Sequence, residues 1–113
     1  MRVVAVFDDL LLGSNVLGML RAAGHEARLT GAADAHPDGA DVMIVDLAGL
    51  DGVALVERLR AAGELGATRL LGVHSHVDVD SKRRAEAAGF DLVVPRSRMA
   101  REGPRLLARL AGE

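Results

Sequence analysis

The sequence predicts one α/β domain over residues 1–113, a parallel sheet wound with helices on both faces. Three observations lead there. Short continuous runs of Val, Leu and Ile recur along the chain, the pattern of strands buried on both faces. Segments with apolar residues at helical spacing separate these runs, so strand and helix alternate, which selects a parallel sheet with right-handed crossovers. The third is composition. With 113 residues, 50% hydrophobic and 27% charged, the chain has enough apolar material for one core and too much for a disordered segment. The only aromatic residues are two Phe, so that core must be aliphatic.

The elements follow in order. Val3-Val4-Ala5-Val6-Phe7 reads as the first buried strand, closed by Asp8-Asp9. Leu10 to Ala23 is helical, with Leu12, Val16, Leu17 and Leu20 on one side and Gly24 as its stop; Gly13 and Gly18 inside it predict an irregular first turn. His25 to Thr30 is short and polar, an edge strand. Gly31 to Ala40 is rich in turn residues and holds one helical turn at most. Val42-Met43-Ile44-Val45 is the next strong strand and ends on Asp46. A helix over Val53 to Ala62 stops at Gly63. Leu70-Leu71-Gly72-Val73 is a further buried strand, followed by the polar His74-Ser75-His76. A short helix over Ser81 to Ala88 ends at Gly89, Leu92-Val93-Val94 is the last strand, and Pro104 suits the first turn of a final helix with Leu106, Leu107 and Leu110 as its stripe.

In sheets of this kind functional groups gather beyond the carboxyl ends of the strands. That selects Asp8, Asp9, Asp46, His74 to His76 and Pro95 to Ser97. Three carboxylates brought together repel one another and call for a hard cation such as Mg²⁺, or for a raised pKa. A carboxylate beside such a cation can itself be a nucleophile and become an aspartyl phosphate. The bland alternative is that Asp8 and Asp9 only open a helix, where acids are favoured.

Taken in order, Val6-Phe7-Asp8-Asp9, Asp41-Val42-Met43-Ile44-Val45-Asp46 and Ala88-Gly89-Phe90-Asp91-Leu92-Val93-Val94 resemble a response-regulator receiver domain over nearly the whole chain. The resemblance implies a flavodoxin-like five-stranded sheet of order 2-1-3-4-5, with the second helix reduced or absent. It implies Asp46 as phosphoacceptor, with Asp8, Asp9, Asp46 and the backbone carbonyl of Ala48 as Mg²⁺ ligands. His74 or Ser75 would stand where such domains carry a switch Thr or Ser, and Arg96 where they carry Lys. Arg is not equivalent to Lys as a phosphoryl ligand. Arg96 could instead be a permanent partner ion for Asp46. The resemblance therefore implies either an atypical single-domain response regulator in phosphorelay signalling or a pseudo-receiver scaffold independent of phosphorylation. The implied partner is a sensor kinase or other signalling protein, or a second copy of the chain, met through a face that includes Lys82, Arg83 and Arg84.

Other function classes fare worse. There is no Cys, and neither a Walker pattern, a G-x-G-x-x-G loop nor a G-x-S-x-G elbow, so an enzyme with a dedicated substrate is not expected. His74-x-His76 suits a transition metal in its spacing, but a polar strand end explains it equally. The near absence of aromatics argues against direct nucleic-acid contact by base stacking. No apolar run approaches a membrane span, and Met1-Arg2-Val3-Val4 lacks a cleavage pattern, so a cytoplasmic location is expected. Charge is uneven: residues 1–81 carry 6 basic and 12 acidic side chains, residues 82–113 carry 8 and 4. That suggests two different surfaces or a solvated set of Arg.

Overall fold

The structure is a computed structural model that describes residues 1–48, 51–75 and 79–112. Five parallel strands form one sheet: β1 (Arg2–Val6), β2 (Glu26–Thr30), β3 (Val42–Asp46), β4 (Arg69–His74) and β5 (Leu92–Pro95). Their spatial order is β2-β1-β3-β4-β5, as expected, with β3 at the centre and the polar β2 at one edge. Four α-helices connect or follow them: α1 (Leu10–Ala22), α2 (Gly52–Ala61), α3 (Val79–Ala87) and α4 (Arg96–Leu110). Between β2 and β3 the helix is reduced to a single 3-10 turn at Ala32–Asp34. Among the described residues no helix is long and apolar enough to cross a membrane.

Strand alternation divides the core. Val3, Ala5, Phe7, Ile44, Leu71, Val73 and Val94 face one side, where Val16 and Leu20 of α1 and Leu106 and Leu107 of α4 cover them. Val4, Val6, Met43, Val45, Leu70 and Val93 face the other, beneath Val53, Val56 and Leu59 of α2 and Ala85 of α3. Both faces are covered, which is why the strands read as unbroken apolar runs. Gly24, Gly63 and Gly89 take positive φ just past α1, α2 and α3, where an L side chain would be strained.

Two expectations change. Helix α1 is regular from Leu10, because its first turn is closed by a side-chain cap and Gly13 is needed for contact: a Cβ there would meet the Leu29 side chain at 2.8 Å. The final helix begins at Arg96, eight residues before Pro104. Pro104 has no N–H to give back to the preceding turn, and Glu102 leaves helical geometry at φ −129°, ψ 15°, so α4 is two helical pieces joined at a kink. Pro104 therefore opens only the second piece.

Candidate functional site

Asp46 is the last residue of the central strand and is 0% exposed. A carboxylate at that depth is costly unless its oxygens are engaged. Both are. The Ala48 backbone N–H donates to Oδ1 at 3.0 Å, and the Arg96 Nη2 donates to Oδ2 at 3.3 Å. The loop that carries Ala48 is held on each side. Leu47 N–H donates to the Val73 carbonyl at 2.7 Å, tying it to β4. Asp51 caps α2 by accepting from Ala54 N–H at 3.0 Å. Gly52 lies so near β3 that a Cβ would meet Val45 at 2.6 Å and Leu47 at 2.7 Å.

Arg96 comes from two strands away. It is the first residue of α4, directly after β5, and its side chain is 32% exposed. The positive end of a helix dipole opposes a cation there. The buried carboxylate of Asp46 offsets that opposition. Nε of Arg96 is buried and has no hydrogen-bond partner among the described residues, so one arm of the guanidinium fork remains open.

The other sequence-selected residues are placed by their own elements. Asp8 and Asp9 follow β1 and are both exposed. Asp9 is the N-cap of α1 and accepts from Leu12 N–H at 3.0 Å. Among the described residues no three His, Cys, Asp or Glu side chains stand together as a metal site. In this arrangement Asp9 caps α1 and Asp46 pairs with Arg96. Ala48 presents its N–H to Asp46. The sheet register pairs Asp46 with Val73 and His74 with Pro95. His74 thus ends β4 and is 8% exposed, while Ser75 lies beyond the strand and is exposed. His76 falls outside the described residues. Lys82, Arg83 and Arg84 are all exposed on α3.

Neither a protein-family model nor a curated protein matches the sequence. Solved structures do. The Vibrio cholerae chemotaxis protein CheY4 superposes with a TM-score of 0.83 at 22% identity, over 96% of this chain and 97% of that one. A LuxR-family DNA-binding response regulator from Staphylococcus aureus gives 0.82 at 15% identity, over 96% and 97%. The non-phosphorylated HemR receiver domain from Leptospira biflexa gives 0.79 at 19% identity, over 96% and 92%. The chain has the receiver-domain fold. Within that fold, Asp46 ends the central strand and Arg96 follows the last one, as the sequence resemblance implied.

Sequence reasoning missed two features of the structure. One is that Arg96 starts a helix, which Pro104 hid by suggesting a later start. The other is Arg60 of α2, whose Nη2 donates to the Ala88 carbonyl at 3.2 Å across to the end of α3. Nothing in the local sequence distinguishes Arg60 from a solvated helix charge.

Proposed function

We propose that the chain is an atypical receiver in two-component signalling that acts by protein–protein contact rather than by turning over a substrate. Its candidate phosphoacceptor is Asp46. The observation that carries this reading is the fully buried Asp46 carboxylate, at the end of the central strand of a receiver fold, held between the Ala48 N–H and Arg96. A phosphodonor would transfer its phosphoryl group to an Asp46 oxygen, with the new P–O bond forming as the bond to the donor breaks and the donor keeps that electron pair. The acyl phosphate places added negative charge where the open Nε of Arg96 can donate to it. Mg²⁺ belongs to this reading through Asp8, Asp9, Asp46 and the Ala48 carbonyl. The source of the phosphoryl group is a sensor kinase or other signalling protein, in the cytoplasm.

A second reading has its own observation. Arg96 already neutralises Asp46, and no metal cluster is gathered beside it among the described residues. In that reading the ion pair replaces the cation, and the chain is a phosphorylation-independent pseudo-receiver scaffold. An amide NMR titration separates the two, first with Mg²⁺ and then with Mg²⁺ plus beryllofluoride, on wild type and Asp46→Asn. The receiver reading requires shifts at Asp8, Asp9 and Asp46 that spread through residues 74–98 in wild type only. No response to either addition leaves the scaffold.

A further inference from the structure

We propose that the open cleft between α2 and α3 is a docking groove for an acidic segment of a partner protein, with a small apolar side chain of that segment as its anchor. The cleft has a volume of about 830 Å³ and is walled by α2 and the end of α3. Small residues leave room in it: Ala61 on α2, Ala87 at the end of α3 and Ala88 just after. Helix α2 rises ~1.5 Å per residue and lines the cleft from Val53 to Ala61, which gives about 12 Å of length, room for roughly three or four residues of extended chain.

Charge selects the occupant. Arg60 stands on the α2 wall and Arg84 on the α3 wall, against the single carboxylate of Glu57. Lys82 and Arg83 continue the exposed positive face along α3. Arg60 spends one N–H on the Ala88 carbonyl, which fixes its guanidinium across the cleft. Two guanidiniums on facing walls match carboxylates that flank a buried anchor. A nucleic-acid backbone fits less well, because the apolar floor offers a run of phosphates nothing, whereas it can take the apolar anchor of a peptide. Helix α3 puts little into the core: Ala85 is the one residue of it that is buried among those described. Moving α3 therefore exposes little apolar surface, and a segment wedged beside it regains what the helix lacks. This groove does not depend on phosphorylation of Asp46.

The probe is a phage-displayed random peptide library panned against the full chain. The enriched peptide is then synthesised with fluorescein and titrated against wild type, Arg84→Glu and Ala61→Trp. Both substituted positions are exposed, and circular dichroism melts confirm that the variants fold. The groove predicts peptides with two or more Asp or Glu around an apolar residue. It also predicts at least tenfold weaker binding to each variant, and peptide-induced amide shifts confined to α2, α3 and the residues just after them. Neutral or basic peptides, equal binding to Ala61→Trp, or no enrichment would overturn the proposal. So would α2 and α3 amides that shift with protein concentration alone, which would mean that a second copy fills the cleft.

Discussion

On one face of the sheet α1 and α4 lie against each other, with the end of the Met19 side chain of α1 packed over Gly103 of α4. On the other face α2 is anchored by Val53, Leu55, Val56 and Leu59, whereas Ala85 is the one buried residue of α3 among those described, and a cleft separates the pair. The sheet is the same in both directions and each of its faces is covered by a buried apolar cluster. What differs is the second helix of each layer. Helix α4 brings Met99, Leu106 and Leu107 to the core, whereas the nine residues of α3 bring one methyl group and five charged side chains. Since hydrophobic stabilisation scales with apolar area removed from water, α4 is fixed by its own burial far more than α3 is. Stability and adaptability are thus segregated to opposite faces of one sheet.

The largest expected effect tests the closed face. Leu107 is fully buried between α4 and the sheet. Leu107→Ala removes apolar contacts and leaves a cavity, an expected loss of about 2–5 kcal/mol in urea unfolding. A loss below ~1 kcal/mol would mean that α4 collapses onto the gap and is no more tightly fixed than α3. No residue of α3 offers an equivalent truncation.

Arg96 joins the two layers, since it belongs to α4 yet holds the carboxylate from which the chain runs into α2. Arg96→Met leaves Asp46 buried without its counter-charge. Removing one partner of a fully buried pair costs ~3–5 kcal/mol. Arg96 is 32% exposed, so solvent moderates the loss, and about 1–3 kcal/mol is expected. Asp46→Asn in the Arg96→Met background should recover most of it, because an amide keeps the acceptor for Ala48 N–H and buries no charge. A double variant as unstable as Arg96→Met alone would show that the arginine acts through packing rather than charge.

This division was only partly legible in the amino acids. The strands were, because a parallel sheet covered on both sides leaves unbroken runs such as Val42 to Val45. The helix stops at Gly24, Gly63 and Gly89 were, because each needs positive φ. Asp46 could be selected as a strand end, but its burial depends on how Ala48 and Arg96 close over it, and the helical start at Arg96 was masked by Pro104. The cleft was not legible at all. It is set by the separation of two helices that are far apart in sequence, and small exposed residues such as Ala61 and Ala87 carry no local signal.

The smallest expected effect bears most directly on the open face. Lys82 and Arg83 are exposed, so Lys82→Ala and Arg83→Ala should each change global stability by no more than ~0.5 kcal/mol. Native-state hydrogen exchange then reports what the global measurement cannot. Amides of α3 should exchange through local opening, at lower free energy than those of α4, because opening α3 exposes only Ala85 of the core while opening α4 exposes Leu106 and Leu107. Low denaturant should barely accelerate the α3 amides, since little surface is uncovered, whereas the α4 amides should follow global unfolding. If α3 and α4 instead exchanged together with the same denaturant dependence, α3 would be part of the cooperative core. The contrast between the two faces would then be one of shape without a difference in mobility, and a segment entering the cleft would have to fit it as it stands.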